Sequence, residues 1–445
     1  MNTTPEKGSA KVAPNVLQRL LNAASKVQPN EAQATILSFL WVFTVMAAYY
    51  IIRNGRDALS SDWTDVQLSW LWTSTFVFSA IAVSVYGLVV SNVRFRVLLP
   101  TIYGLFAATF IGFFIVGTTL GDNDLVNRTF YVWVSVFALF HLSVFWTFMS
   151  GVYNKEQSKR LYSVIATGAI LGSIVGPGFV SLFGEQIGPL NGLLIASIML
   201  LAPIAIMSRL DTLRETALGN PDPQADLLRG NKLGANPFSG FTRFASNRYL
   251  LWIGLFILLY VTMNTFLYFE IRKVFAGMER AARYEAWAMI DLAVNSLAAV
   301  TALFATGRIS TRIGVSATLA VVPLIMLGGW VVVAMSPVLA SVVGVQIVRR
   351  AGNYAVTRPG REMLFTVVDS ETRVKSKPVI DTVVYRGGDV ATGWFYTLLT
   401  TKFGLALGGI AIVGAVIAGV WAAVGVKLGR LFDERQRDDP QEDTE

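Results

Sequence analysis

The sequence predicts an all-α membrane protein with twelve spanning helices, arranged as six and six. Three observations carry that prediction. Of 445 residues, 53% are hydrophobic and only 15% are charged, and the mean hydropathy is +0.53, whereas a soluble domain carries about 25% charge. Each crossing takes about 20 apolar residues, so twelve occupy roughly 240, close to the apolar share of this chain. A polar stretch at 209–246 divides the apolar runs into two equal sets. A water-soluble enzyme and a single-span receptor with a large ectodomain are both excluded.

Residues 1–33 form a polar tail without the apolar run of a secretory signal. Within it Val16, Leu17, Leu20, Leu21, Ala24 and Val27 recur at helical spacing while Arg19, Asn22 and Lys26 lie off that stripe, so a short helix lying in the membrane interface is expected. The first six-helix bundle, 34–208, has spans near 34–52, 66–91, 95–119, 129–152, 160–185 and 189–208. The linker 209–246 follows, broken by Pro221, Pro223, Gly230, Gly234 and Gly240. The second bundle, 247–428, has spans near 247–271, 284–306, 313–334, 338–357, 378–401 and 404–428, and a polar tail occupies 429–445. Lys and Arg gather on the tails, on the linker and on the connections after spans 2, 4, 8 and 10, as in Lys155, Lys159, Arg160 and Arg373, Lys375, Lys377. The positive-inside bias then puts both termini and the linker in the cytoplasm. A bacterial inner membrane is the expected location, and membrane orientation rather than nucleic-acid binding accounts for the net charge of +8.

The halves repeat each other. Tyr49-Tyr50-Ile51-Ile52-Arg53 ends the first helix of one half, and Tyr268-Phe269-Glu270-Ile271-Arg272 ends the first helix of the other. Arg94 and Arg96 after span 2 answer Arg308 and Arg312 after span 8, and Glu156…Ile165 answers Glu371…Ile380. Three matches at corresponding places point to a duplicated six-helix unit. This arrangement, with Gly307-Arg308…Arg312-Ile313-Gly314 between spans 8 and 9, resembles the major facilitator superfamily, which implies a substrate site near the midplane between the halves. Gly172-Ser173-Ile174-Val175-Gly176-Pro177 in span 5 resembles a Gly-x-x-x-Gly-Pro element of that superfamily's antiporters. Close helix packing explains the same residues equally well.

Twelve ionisable side chains fall inside spans or at their ends. Seven are basic (Arg53, Arg56, Arg272, Lys273, Arg349, Arg350, Arg386) and five acidic (Asp57, Glu270, Asp291, Asp381, Asp389). Each costs about 2.5–3.5 kcal/mol facing lipid at a helix centre, so they must pair, reach an interface or line a wet cavity. Tyr49, Arg53 and Asp57 share one helix face with Arg56 beside them; Asp381, Tyr385 and Asp389 form a second stripe; Gln346, Arg350 and Asn353 a third; Asp291 and Asn295 a fourth. The basic excess suits a small anionic solute. Tyr49, Arg53, Arg56, Tyr268, Glu270, Arg272, Lys273, Arg350 and Arg386 are the candidate substrate contacts. Asp57, Asp291, Asp381, Asp389 and Arg312 are candidates for coupling or gating. The same charges could instead form internal salt bridges that gate the halves. His141, the single histidine, reads as a packing residue. With no cysteine, one histidine and no phosphate-binding loop, no catalytic residue, metal or cofactor is expected, and a monomer in the bilayer is the expected form.

Tyr50…Arg53-Asn54-Gly55-Arg56-Asp57, Tyr131-Val132-Trp133…Asn154-Lys155-Glu156, Glu270 and Ile380-Asp381-Thr382…Arg386-Gly387-Gly388 resemble the ATP/ADP translocases of plastids and intracellular bacteria, over roughly 34–400. The resemblance implies nucleotide antiport with ATP binding, Arg53, Arg56 and Glu270 taking the family's charged positions. Ser135 stands where that family has an acid and Asp389 where it has a lysine. The expected function is thus secondary active transport of an organic anion by alternating access, with nucleotide exchange as the sharpest version. The alternative is a proton-coupled carrier of another solute, such as a phosphorylated metabolite, peptide or lipid precursor, which would use Asp381 and Asp389.

Overall fold

The structure, a computed structural model, describes residues 27–90, 95–220, 239–304 and 306–438; the expected interfacial helix within 1–33 lies almost wholly outside them. The described residues form helices and no strand. In chain order these are α1 (Ala32–Leu59), α2 (Asp65–Val90), α3 (Phe95–Leu120), α4 (Asp124–Val152), α5 (Lys155–Met199), α6 (Ala202–Thr216), α7 (Ser239–Ser246), α8 (Arg248–Phe275), α9 (Arg280–Phe304), α10 (Thr306–Met335), α11 (Leu339–Gly352), α12 (Arg358–Met363), α13 (Ser370–Pro378), α14 (Tyr385–Thr401) and α15 (Leu407–Asp438).

These helices make twelve crossings. Eight stretches are apolar and long enough by themselves, and one of them, Lys155–Thr216, is 62 residues long. It is two crossings: α5 breaks at Gly188, whose φ of +72° only glycine adopts without strain, and Pro189 starts the next limb. That second limb continues through α6 to Thr216, eight residues past the expected end of span 6, because Met207, Leu210 and Leu213 remain buried. Span 8 is α9, with Arg280, Arg283, Glu285 and Asp291 in it. Spans 10 and 11 are each interrupted by a π-helical turn, Asn353–Thr357 between α11 and α12 and Val379–Val384 between α13 and α14. Where the chain turns at a helix start, side-chain caps satisfy the free N–H groups: Asn123 on α4, Asn154 with Gln157 as a capping box on α5, Asn247 on α8 and Asp369 on α13.

Packing is inverted relative to a soluble protein. Trp70, Phe78, Ile115 and Val416 are more than half exposed, while Asp57, Glu270, Arg272, Asp291, Arg349 and Arg350 are buried. The most intimate contact is α5 on α1. A Cβ at Gly168 would stand 2.5 Å from the Phe39 carbonyl oxygen, one at Gly176 2.6 Å from that of Ala47, and one at Gly172 would collide with the carbonyl of Phe43. The Gly172–Pro177 element therefore packs helices. Between the halves, α9 lies against α5 and α1, and α14 lies against α2. Spans 8 with 5 and 11 with 2 are exchanged by the sequence duplication, so the two seams are equivalent.

Gly172→Val should force α1 and α5 apart. Overpacking of this kind costs about 1–3 kcal/mol or more, and the variant should lose several degrees of thermal stability in detergent or fail to run as a single species by size exclusion. Gly328→Ala, where a Cβ meets nothing within 4 Å, should behave as the parent. Equal stability of the two variants would show that the glycine stripe is not a packing device.

Candidate substrate cavity

One turn of α1 supplies the densest charge. Arg53 and Asp57, four apart, meet at 3.4 Å; Arg56 folds back on Asp57 at 2.6 Å and donates to the Ser135 hydroxyl at 3.2 Å. Tyr268 from α8 donates to the same Asp57 at 3.1 Å. The guanidinium of Arg56 lies over the Tyr131 ring at 5.3 Å, an arrangement favourable in a dry site.

These residues open onto a cavity of about 140 Å³ between the halves, lined by Arg53, Arg56, Trp72, Thr75, Phe76, Tyr131, Ser135, Asn264, Tyr268, Trp287, Gln346, Arg350, Arg386 and Asp389. Four arginines and one carboxylate thus share the wall. Asp57 and Asp291 stand behind it, each about 1% exposed. Asp291 joins the halves: its Oδ1 accepts from Arg350 at 2.5 Å and lies 3.4 Å from Arg53 of the other half. Arg350 keeps a buried Nη2 without a hydrogen-bond partner. Arg386 and Asp389, three apart on α14, are 3.7 Å from each other. Trp72, Tyr131, Tyr268 and Trp287 form an aromatic wall, held by Trp72 Nε1 donating to the Tyr131 hydroxyl at 2.9 Å.

A second and larger space, about 590 Å³, adjoins Arg53 on the side of the chain termini and is lined by Tyr49, Tyr50, His141, Ser173, Asn295, Tyr354 and Arg358 among others. Tyr49 faces this space rather than the first cavity, stacked on His141 with ring centroids 4.2 Å apart. That contact fits the packing reading of the histidine.

Other expected contacts lie elsewhere. Arg272 and Lys273 do not line the cavity. Arg272 is bonded to Asp65 and to the Trp63 carbonyl, and Lys273 reaches Asp65 at 3.0 Å and the Tyr396 hydroxyl at 2.8 Å. Glu270 accepts from Tyr396 at 2.5 Å inside the second half. The duplicated motif carries Arg272 to the helix end, where the acidic start of α2 captures it. Asp381 is likewise off the wall, 3.5 Å from Arg361. It sits in the π-helical turn Val379–Val384, which breaks the four-residue register with Asp389. Arg312 lies in α10, with its side chain outside the described residues.

Arg272, Lys273 and Asp65 belong to a wider cluster at the end of the bundle opposite the termini. Arg280 pairs with Asp62 at 2.8 Å and Asp122 at 2.9 Å, and Arg283 with Asp62 at 2.5 Å. Hydrogen bonds from Arg280 and Asn127 hold the Asp122 carboxyl below its ordinary range, so this pair persists at neutral pH. Among the described residues, every salt bridge between the halves lies at the cavity or at this end. The bundle is latched there and has its larger open space on the other side.

Sequence reasoning named Tyr268 of the aromatic wall and allowed for salt bridges that gate the halves, but it missed Trp72 and Trp287 and the aspartates of the latch. The latch had a signal: Asp62, Asp65, Asp122 and Asp124 follow odd-numbered spans, opposite Arg280 and Arg283 at the start of span 8. Trp72 and Trp287 had none beyond being tryptophans within spans.

The sequence model of the Major Facilitator Superfamily matches residues 33–356. Similar solved structures include a bacterial homologue of the iron transporter ferroportin in an inward-facing state (TM-score 0.62, 12% identity, covering 89% of this chain and 98% of that one). The nucleoside transporter NupG is another (0.59, 12%, 91% and 99%), as is a bacterial homologue of the human lysosomal transporter Spinster, inward-facing and unoccupied (0.58, 12%, 92% and 99%). No curated protein matches.

Breaking the latch should open its end. A single cysteine replacing Thr75 on the cavity wall, in a chain with no other cysteine, should react with a membrane-impermeant maleimide applied from that end. The rate should rise at least tenfold when Asp62 and Asp65 are both changed to Asn. An unchanged rate would show the cluster to be incidental to closure.

Proposed function

Since the chain belongs to the Major Facilitator Superfamily, and is an integral multi-pass secondary transporter, we propose that its substrate is an organic anion carried between the two halves by alternating access. The observation that supports this reading is the concentration of Arg53, Arg56, Arg350 and Arg386 around one cavity whose wall carries a single carboxylate, Asp389. In a site shielded from water such a field favours an anion. The aromatic wall of Trp72, Tyr131, Tyr268 and Trp287 suits a planar ring, so a nucleotide, carried by exchange of the ATP/ADP type, is the sharpest form of the proposal. Arg53 and Arg350 approach from opposite halves and are the contacts that would sense closure. Arg272 and Lys273 act on the latch.

Proteoliposomes offered labelled ATP, ADP and phosphate should accumulate at least one of them, and Arg53→Ala or Arg350→Ala should reduce uptake at least a hundredfold with the protein still folded and inserted. Absence of nucleotide uptake by protein shown active with another solute would remove the nucleotide version. Normal uptake by both arginine variants would remove the anion site. A second reading, proton-coupled transport of another solute, is favoured by Asp389, which faces the cavity only 16% exposed and 3.7 Å from Arg386. In that case Asp389→Asn should flatten the dependence of uptake on external pH, and an unchanged pH profile would leave Asp389 as a counter-ion to Arg386.

The basic excess further supports an orientation with both termini and the 209–246 linker on the cytoplasmic side; a bacterial inner membrane and a working unit of one chain complete the proposal. Epitope tags at the three places should be inaccessible from outside intact cells. Labelling of the linker from outside would reverse the orientation.

A further inference from the structure

Asp291 occupies an unusual place in the site, because it contacts the two arginines best positioned to hold an anion. Its carboxylate accepts from Arg350 Nη1 at 2.5 Å and lies 3.4 Å from Arg53 Nη1, and Asp291 itself is about 1% exposed. Arg53 belongs to the first half and Arg350 to the second. The pair would otherwise place two like charges face to face across the seam that must close during transport, in a medium where an unmatched charge is disfavoured. A carboxylate between them does in the empty carrier what a substrate's anionic group would do in the loaded one. The hydrogen bonding of Asn295, one turn further along α9, serves the same seam. It accepts from Tyr50 at 3.3 Å and donates to the Ser173 carbonyl at 2.6 Å, both in the first half. Arg350, whose buried Nη2 makes no hydrogen bond to another described residue within bonding distance, also lines the cavity.

We infer that Asp291 is a built-in stand-in for the substrate's anionic group, which lets the empty carrier close and reorient, so that the protein performs net transport rather than obligatory exchange. The inference rests on the anion reading given above, and it puts net transport in place of ATP/ADP-type exchange as the coupling mode. An arriving anion engages Arg350 Nη2 and takes Arg53 from Asp291, which keeps its bond to Arg350 Nη1. On release Asp291 again bridges both arginines, and the halves can swing back unloaded. A carrier whose paired arginines lacked such a carboxylate would be held open until a new anion arrived, and would exchange only.

Because the chain has no native cysteine, the empty carrier can be followed without a substrate. Spin labels on cysteines replacing Leu125 and Phe403, both well exposed at the latched end, one in each half, should report two distance populations for the unliganded parent protein in liposomes. Asp291→Asn should shift their ratio at least tenfold toward one state, and Asp291→Glu should keep both populations. Should Asp291→Asn fail to fold, the double variant Asp291→Asn/Arg350→Gln removes the charges as a pair and should also keep both. A single population in the empty parent protein, an unchanged ratio in Asp291→Asn, or a locked double variant would overturn the inference. In uptake assays with labelled ATP, ADP or phosphate, the parent protein should fill vesicles that contain no internal anion, and Asp291→Asn should do so only after preloading with the same anion. Parent protein that requires preloading would likewise overturn it. If none of these anions enters, the nucleotide version of that reading fails by itself, and the distance measurement still decides whether Asp291 frees the empty carrier.

Discussion

A charge within a bilayer has no water to turn to, and every polar feature of this molecule is arranged around that constraint. The carboxylates Asp57 and Asp291 are almost fully buried, and each is matched by more than one arginine. Buried ion pairs of this kind contribute little net stability, but losing one partner is costly, about 3–5 kcal/mol. The lattice therefore resists change in parts and tolerates change only as a whole. That property suits a site whose occupant comes and goes: a solute that takes over one of a carboxylate's two arginines leaves that carboxylate still matched by the other.

The twelve-span organisation was legible because it depends on a coarse quantity, the length of apolar runs set by membrane thickness. The charged turn of α1 was legible for a related reason. Arg53, Arg56 and Asp57 are too expensive to be accidental, and four-residue spacing fixes the Arg53–Asp57 pair. Reasoning from spacing failed where a helix was not α. The π-helical turn Val379–Val384 adds a residue to the turn and rotates Asp381 away from Asp389 towards Arg361, and nothing in the residues at 379–384 announces it. Reasoning from the duplication failed where the halves have diverged in their surroundings. Arg53 and Arg272 end equivalent helices, but Arg272 meets Asp65 and the Trp63 carbonyl across the seam, whereas Arg53 meets the cavity. Symmetry of sequence fixed equivalent positions along the helices and left their environments free to differ.

The two seams between the halves show the division of labour this permits. Where α9 meets α1 and α5, the contact is polar at the cavity level, through Asp291 and Asn295. Where α14 meets α2, charge is confined to the latch end, where Thr400 donates to Asp65 at 2.8 Å, and neutral groups take over along the rest: Ser69 and Thr397 are 2.8 Å apart, and Trp394 donates to Thr73 at 3.1 Å. Neutral hydrogen bonds are individually weak and readily exchanged, so the second seam can slide while the first is held or released by its ions.

The break at Gly188 has a mechanical consequence. Spans 5 and 6 are joined at a single glycine with no loop, so the joint has no slack to absorb displacement. Span 5 is fastened along α1 by its glycines and also borders α9 at the seam between the halves. Any tilt of that seam is therefore handed directly to span 6, and through α6 to the segment that enters the linker at Thr216. The pair works as a lever whose far arm stays packed on α1 and α3 through Met207, Leu210 and Leu213, which makes the linker a place where the state of the cavity is read, or set, from outside the membrane.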